Sequence, residues 1–398
     1  MPSLDLCISE LSKVQVMENV VIIGSGLAGY TLAKELRKLA PALPIRLLTL
    51  DDGASYSKPM LSNALAKGKT AQTLPMASAE QMEAQLNITI TTHTAVTAID
   101  TQAHTVATAM EEIPYGKLVL CVGAVPIHPP LTGDAADRVL SVNNLTDYAV
   151  LRHALETAQR VAIIGPGLIG CEFANDLLSV GKQVTVIGPG VVPLDRLLPT
   201  EAGAALQSAL ARQGVAWHLG VTALRVDHQD EAYRITLSDG ATLLADCVLS
   251  AVGLRPNLQL AKLTGLQTAR GIVVSRHLQT SAADVYALGD CAEVEGLVLP
   301  FVMPIMHAAR ALAPTLAGTL TAVNYPAMPV VLKTPACPVV VSPPAMDAAG
   351  EWLIEYLNGD SLRALYRDAD GGLLGFALTG AAAAERQTWS KELPPVLA

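Results

Sequence analysis

The sequence predicts an α/β protein made of two Rossmann-like dinucleotide-binding domains and a smaller α+β C-terminal domain. The first observation behind this prediction is a Gly-x-Gly-x-x-Gly pattern that occurs twice, each time after a short apolar run and before a helical pattern. The second is the length, because 398 residues exceed what a single hydrophobic core usually organises. The chain is therefore expected to form two or three domains.

The first glycine pattern follows the apolar run of residues 20–23 and opens a helical pattern. Gly24 suits a tight turn, Gly26 lets the backbone approach a pyrophosphate, and Gly29 permits close packing of helix on strand. A phosphate bound there would lie at the N-terminus of the helix. The predicted lining of this site is Gly24, Ser25, Gly26, Leu27, Ala28 and Gly29.

A second glycine pattern repeats this arrangement 141 residues later, counted from Gly24 to Gly165. Its glycines are Gly165, Gly167 and Gly170, which follow the apolar run 161–164 and open another helical pattern. One glycine triplet could be only a tight turn. Two complete strand–turn–helix units predict two dinucleotide sites.

Carboxylates placed to bind a ribose follow only the first unit. The apolar run after the first helical pattern ends at Asp51 and Asp52, whose oxygens could accept hydrogen bonds from ribose hydroxyls. The corresponding run of the second unit ends at residues 188–190, Gly-Pro-Gly, without an acid. The nearest arginine, Arg196, is several residues further on, so a 2′-phosphate also lacks an obvious partner. This pattern favours NADH over NADPH at the second site.

Composition argues against several other classes of protein. A net charge of −9 disfavours nucleic acid as a partner, because phosphate binding needs a basic surface. No run of 18 apolar residues predicts membrane insertion. The six cysteines lie far apart without a Cys-x-x-Cys pair, which predicts no metal site and no dithiol. The first 16 residues show no signal-peptide pattern, and a cytoplasmic location is expected by default.

Three further segments resemble the two-dinucleotide flavoprotein reductases. Residues 118–124 and 249–257, which include Gly123 and Gly253, resemble the paired segments by which the chain passes from the FAD domain to the NAD domain and back. Residues 285–290 resemble the second FAD motif, in which a strand-end aspartate, here Asp290, binds the ribityl chain. A helix-capping or turn aspartate is the plainer alternative for Asp290.

A narrower resemblance, to the NADH:rubredoxin reductases of alkane-oxidising bacteria, covers nearly the whole chain from residue 17. The segments that carry it are residues 55–62, 167–176 and 333–338. We expect a discontinuous FAD domain, an inserted NADH domain and a C-terminal domain. Their predicted bounds are residues 17–123 with 248–322, residues 124–247 and residues 323–398 respectively.

The resemblance also implies roles for residues near the flavin. Lys58, with Pro59 beside it, would be the cation that stabilises the reduced ring, although a lysine in a loop is more often simply solvated. Glu172 would face flavin and nicotinamide in a positioning or gating role. Its plainer interpretation is a carboxylate placed in the first helical turn, where the helix dipole favours it.

The resemblance implies roles for three other residues, and each also has a purely structural explanation. Lys333 would lie near the flavin, or would only protect an edge strand. Val302 would contact the flavin ring and the backbone of Val96 would contact the adenine, or both would be core residues. Ferredoxin-reductase relatives carry a second basic residue where this chain has Asn63, so a lysine–glutamate pair near the flavin must use Lys58 or Lys333, or be missing.

These inferences predict an NADH-dependent, FAD-containing oxidoreductase that reduces rubredoxin one electron at a time and so supplies an alkane hydroxylase. A local patch of Lys58, Lys67 and Lys69, with Lys333, could dock the carrier, although solvated lysines are the plainer description. The alternatives are a reductase of ferredoxin or flavorubredoxin, and a slow redox sensor that binds both cofactors. The oligomeric state stays open.

Overall fold

The computed structural model describes residues 19–398, and its mixed α/β architecture confirms the predicted fold class. The predicted N-terminal extension, Cys7 and the predicted domain start at residue 17 lie outside the described residues. Within residues 19–398, no helix combines the length and the apolar character needed to cross a bilayer.

The first sheet has five parallel strands whose central members are buried and apolar, as expected for a sheet covered on both faces. In spatial order its strands are Val285–Ala287, Lys117–Leu120, Val20–Ile23, Ile45–Leu48 and Thr89–Thr91. The helices that accompany it are Leu27–Leu39, Ala79–Leu86 and Val302–Leu316. A small antiparallel sheet at its side consists of Val96–Asp100, Thr105–Thr108 and Glu112–Pro114.

The second sheet repeats the first on a smaller scale, with four parallel strands. In spatial order these are Val215–Leu219, Gln183–Gly188, Arg160–Ile164 and Cys247–Ser250. Its helices are Leu145–Ala154, Leu168–Ser179 and Thr200–Arg212, and its antiparallel side sheet is Ala223–Gln229, Ala232–Leu237 and Thr242–Ala245. The predicted strand–turn–helix units are therefore both present.

The two parallel sheets are joined by a pair of crossing segments. Strand Ala124–Pro126 pairs antiparallel with strand Leu254–Pro256. Gly123 and Gly253 precede these strands in left-handed backbone conformations, with φ of 65° and 114°. The chain also forms the short helices Ala136–Arg138 and Gln259–Leu263, and a parallel pair of short strands, Ile272–Val274 and Ala292–Val294. The predicted domain bounds stay a prediction.

The C-terminal part is built on an antiparallel sheet of five strands. In spatial order they are Val330–Leu332, Val339–Ser342, Leu373–Thr379, Leu362–Arg367 and Glu351–Tyr356, followed along the chain by the short helices Gly380–Glu385 and Arg386–Ser390. A single buried cluster contains Leu61, Phe173 and Leu332. This shared core fixes the segment around Leu61 against both the second sheet and the C-terminal sheet.

Candidate functional site

The two glycine turns have the same geometry. Gly24 and Gly165 both adopt φ of 113°, a conformation that side chains rarely allow. Each donates its N–H to the strand beside it, Gly24 to Leu48 O at 2.8 Å and Gly165 to Ile187 O at 2.8 Å. The duplication seen in the sequence is therefore a duplication of backbone structure.

The remaining glycines of each turn divide into a packed and an open position. A Cβ on Gly29 would lie under 3.0 Å from Gly24 O, and a Cβ on Gly170 would lie under 3.0 Å from Gly165 O. By contrast, a Cβ on Gly26 or Gly167 would meet no protein atom within 4 Å. The helices Leu27–Leu39 and Leu168–Ser179 begin directly after these open positions, without a side-chain cap.

That arrangement fits a pyrophosphate at both turns. The first N–H groups of an uncapped helix lack partners and favour an anion. An open glycine lets the anion approach the backbone closely. The structure thus supports two dinucleotide sites on observations independent of the sequence pattern.

Asp51 lies beside the first glycine turn. Its Oδ1 accepts hydrogen bonds from Ser25 Oγ at 3.0 Å, Thr49 Oγ1 at 2.5 Å and Gly53 N at 3.0 Å. Its Oδ2 has no partner in the described part of the chain and can accept from a ribose hydroxyl. Asp52 is also exposed, and its Oδ1 accepts from Ala54 N at 3.0 Å. Of the two, Asp51 is the one that a hydrogen bond ties to the glycine turn, through Ser25.

Val96 is the first residue of the strand Val96–Asp100. Thr94 N, two residues earlier, donates to Thr49 O at 2.8 Å. This bond brings the segment leading to Val96 alongside the one leading to Asp51. Its contact with the adenine stays a prediction.

Asp290 follows a strand that ends between the N-termini of two helices. A Cβ on Gly289 would lie 2.9 Å from Ala28 Cβ and 3.9 Å from Ile305 Cγ1, so helices Leu27–Leu39 and Val302–Leu316 converge there. Asp290 lies in a turn closed by Ala292 N, which donates to Gly289 O at 2.9 Å, as the plainer alternative expects. Among residues 19–398 its side chain has no hydrogen-bond partner, so the carboxylate caps no helix and can accept from a ligand. Val302, the first residue of its helix, is 39% exposed and free to contact a ligand.

Lys58 is the first residue of the short helix Lys58–Asn63 and is half-buried. Burial lowers the pKa of Lys58, while the charges of Asp290 and Asp147 raise it. Burial also raises the pKa of Asp290, and Lys58 opposes this effect. The two groups influence one another, yet no ion pair within 4.0 Å joins them in the described chain. An ammonium and a carboxylate in one neighbourhood could contact a flavin ring and its ribityl chain.

Glu172 lies beyond the first turn of its helix, which corrects the sequence-based placement. The helix starts at Leu168, directly after Gly167, so Glu172 is its fifth residue. The helix dipole acts mainly within the first turn and therefore does not explain this carboxylate. Its side chain is only 4% exposed and instead accepts hydrogen bonds from Ser62 Oγ, from Asn63 Nδ2 at 3.3 Å and from Lys333 N at 3.0 Å.

Lys333 contributes its backbone to this group of contacts. Its ammonium donates to Pro59 O at 3.0 Å. Within the described residues no ion pair involves Glu172. The sequence left three options, a pair of Glu172 with Lys58, a pair with Lys333, or no pair, and the structure shows no pair. Asn63, which takes the place of the second basic residue, binds Glu172 through its amide instead.

Asp176 is a contact residue that the sequence analysis did not assign. It lies one turn after Glu172, is 1% exposed, and accepts from Leu65 N at 2.9 Å and Ala66 N at 2.8 Å. Burial raises the pKa of Asp176, although these backbone donors lower it. The signal that could have found it is its spacing, because acids at positions i and i+4 share a helix face.

The cysteines of the described chain do not form a thiol site. Residues 121, 171, 247, 291 and 337 are all free and buried. Burial raises the pKa of Cys171, Cys247 and Cys291 to about 12. They are therefore protonated and poorly nucleophilic near neutral pH. Among residues 19–398, no cluster of three or more potential ligands could hold a metal ion.

Comparisons with known proteins agree with this geometry. Residues 18–313 match the model of the pyridine nucleotide-disulphide oxidoreductase family, and residues 322–393 match that of the rubredoxin binding C-terminal domain. The rubredoxin-NAD(+) reductase of Alcanivorax borkumensis is 50% identical over 96% of this chain and 100% of its own length. That of Acinetobacter baylyi is 47% identical over 96% of this chain and 99% of its own.

A solved structure shares the overall architecture. The ferredoxin reductase of Rhodopseudomonas palustris covers 95% of both chains with a TM-score of 0.85 and 26% identity. Together with the family match over most of the chain, these relatives confirm the resemblance predicted from the sequence. The chain belongs to the pyridine nucleotide-disulphide oxidoreductase family, among its rubredoxin-NAD(+) reductases.

Proposed function

We propose that this protein oxidises NADH, holds the electrons on FAD and passes them singly to two molecules of rubredoxin. The observation that carries the proposal is the pair of glycine turns with the same backbone conformation, each open at its middle glycine, with Gly289 and Asp290 packed beside the first of them. The rubredoxin binding domain match supplies the acceptor. The predictions of an oxidoreductase, of FAD and NADH, and of rubredoxin all agree with the comparisons.

The first unit would hold FAD. Gly26 and the helix behind it would bind the pyrophosphate, Asp51 the ribose and Asp290 the ribityl chain. FAD, when bound, accepts two electrons as a hydride and releases them one at a time. Lys58 and the uncapped N-terminus of helix Val302–Leu316 would stabilise the negative charge that reduction adds.

The second unit would hold NADH, with its pyrophosphate at Gly167. Glu172 and Asp176 fix the helix that follows Gly167 to the segment that carries Lys58. Since both dinucleotides depend on these two elements, the contacts set the distance between nicotinamide and flavin. Glu172 is thus proposed as a positioning residue, and the catalytic contact is assigned to Lys58.

Rubredoxin would dock on the surface that carries Lys67, Lys69 and Lys333, near the proposed flavin site. Lys67, Lys69 and Lys333 are exposed, and Lys69 is held by Tyr148 Oη at 3.0 Å through its carbonyl oxygen. A local cationic patch would be needed, because the net charge of −9 gives no global attraction to an acidic carrier. Supply of an alkane hydroxylase and a cytoplasmic location complete the proposal and rest on the family resemblance.

The electron count tests this proposal directly. FAD-loaded protein is mixed without oxygen with one equivalent of NADH and then with excess oxidised rubredoxin. Bleaching of the flavin by NADH, followed by reduction of two rubredoxins per NADH, is the expected result. Flavin that stays oxidised, or reduced flavin that does not react with rubredoxin, would contradict it.

Ferredoxin is the second candidate acceptor, because the structural neighbour from Rhodopseudomonas palustris is a ferredoxin reductase. The flavin chemistry would be unchanged. The rubredoxin binding match over residues 322–393 favours the first candidate.

A further inference from the structure

The second glycine unit lacks a strand-end acid in its sequence, and its structure shows why one cannot stand at residue 188. A Cβ on Gly188 would lie under 3.0 Å from the ring of Pro166, the residue between the first two glycines of the turn. Any larger side chain at position 188 would collide with that ring. The proline in the turn and the glycine at the strand end therefore depend on each other.

Equivalent positions in the two units can be identified from their hydrogen bonds. Leu48 and Ile187 accept the N–H of the first glycine in their respective turns, and each pairs with the last residue of the central strand, Ile23 or Ile164. Three residues after Leu48 stands Asp51. Three residues after Ile187 stands Gly190.

A carboxylate nevertheless occupies the side-chain space of Gly190. A Cβ built there would lie under 3.0 Å from Asp195 Oδ2 and Asp195 Cγ. Asp195 is exposed, and its side chain has no hydrogen bond or ion pair among the described residues. It is therefore an available acceptor, as is the second oxygen of Asp51 in the first unit.

The loop that presents Asp195 is fixed at several points. Leu194, which precedes it, is buried and adopts φ of 58°, which is unfavourable for a residue with a side chain. Its N–H donates to Pro166 O at 3.0 Å, and Gly190 O accepts from Gly220 N at 2.9 Å. The strained backbone is thus held against the glycine turn, which fixes the backbone position of Asp195 before any ligand binds.

We propose that Asp195 binds the adenosine ribose of NADH and discriminates against NADPH, in place of the missing strand-end acid. The inference rests on the proposed function of the second unit as the NADH site. A carboxylate accepts hydrogen bonds from the 2′- and 3′-hydroxyls, whereas it repels a 2′-phosphate. Asp195 lies five residues after Gly190 in the sequence, but its carboxylate occupies the side-chain space of Gly190 in the fold.

The test is equilibrium binding of NADH and NADPH to FAD-loaded protein without oxygen or a carrier. The variant is Asp195→Asn, which keeps the shape of the side chain and removes its charge. Glu201→Gln is the matched control, because Glu201 is an exposed acid in the first turn of the next helix. Thermal unfolding of all three proteins checks that the fold is intact.

We expect Asp195→Asn to weaken NADH binding about tenfold, as for loss of a charge-assisted hydrogen bond. NADPH binding should be unchanged or tighter, and Glu201→Gln should behave as the wild type. Unchanged NADH affinity in Asp195→Asn, or an equal loss in Glu201→Gln, would overturn the assignment while leaving the proposed function intact. A wild type that binds no NADH would overturn both.

Discussion

Glu172 and Lys333 are joined through the backbone of the lysine and not through its charge. Lys333 N donates to Glu172 Oε1 at 3.0 Å, whereas Lys333 Nζ donates to Pro59 O at 3.0 Å. The carboxylate thus ties the segment after strand Val330–Leu332 to helix Leu168–Ser179, and the ammonium ties that segment to Pro59 in the short helix Lys58–Asn63. The three predicted domains meet at one buried acid.

Removing each partner should therefore have unequal effects. Lys333→Met keeps the backbone N–H and should change the free energy of unfolding by no more than about 0.5 kcal/mol. Glu172→Gln replaces an acceptor oxygen with an amide facing hydrogen-bond donors and should cost on the order of 1–3 kcal/mol. Urea unfolding of the two variants measures the difference. Equal destabilisation would show that the lysine charge matters after all.

The charge of Lys58 should appear in the flavin potential. Lys58→Met removes a half-buried cation, so we expect the two-electron potential of bound FAD to fall by about 30 mV, the equivalent of about 1.4 kcal/mol. Lys67→Met, at an exposed position, is the matched control and should leave the potential unchanged. Spectroscopic titration against a reference dye makes the measurement. A fall common to both variants would point to a general charge effect.

Alkaline pH should slow flavin reduction through the same residue. Burial lowers the pKa of Lys58 from 10.5, and its protonated form is the one that assists reduction. The rate is therefore full below this lowered pKa and declines as the pH rises through it, at a midpoint under 10.5. Stopped-flow reduction by NADH across this range measures the decline. Lys58→Arg, which stays charged, should lack it, and persistence of the decline in that variant would assign it to another group.

Alanine variants of two glycines in the first turn should have different effects, one on FAD binding and the other on the stability of the fold. Gly26→Ala places a methyl group in open space at an ordinary φ of −63°, so the apoprotein should melt within a degree or two of the wild type. FAD affinity should fall tenfold or more, because the methyl group blocks the approach of the pyrophosphate. Gly29→Ala should instead lower the melting temperature through its clash with Gly24 O. FAD titration and thermal unfolding of the apoprotein distinguish the two; the reverse pattern would contradict the assignment.

Asp176 should give a stability difference that depends on pH. Burial raises its pKa in the folded protein above 3.8, so its contribution to stability is complete below 3.8 and is lost as the pH rises through the folded value. Asp176→Asn cannot ionise and loses one acceptor oxygen. Its deficit in unfolding free energy relative to wild type should therefore shrink from pH 4.5 to pH 7.5, as urea unfolding at both values would reveal. A constant deficit would contradict this.

The sequence sufficed for the fold because its strongest signals are local. Each glycine turn is encoded within a few residues, and the structure places Gly24 and Gly165 in the same conformation. The roles of Glu172 and Asp176 were harder to predict, since their partners lie about 110 residues away along the chain. Asp195 illustrates the same limit. Its neighbour Gly190 and its support at Pro166 come together only when the loop folds back.

Acceptor preference tests the central claim most directly. The FAD-loaded protein is supplied with NADH and, in parallel, with equal concentrations of rubredoxin, a two-iron ferredoxin and flavorubredoxin, and each carrier is followed by its own absorbance. The account predicts that rubredoxin is reduced at least tenfold faster than ferredoxin, since residues 322–393 match a rubredoxin binding domain. Equal rates, a preference for either other carrier, or slow reduction of all three would contradict it.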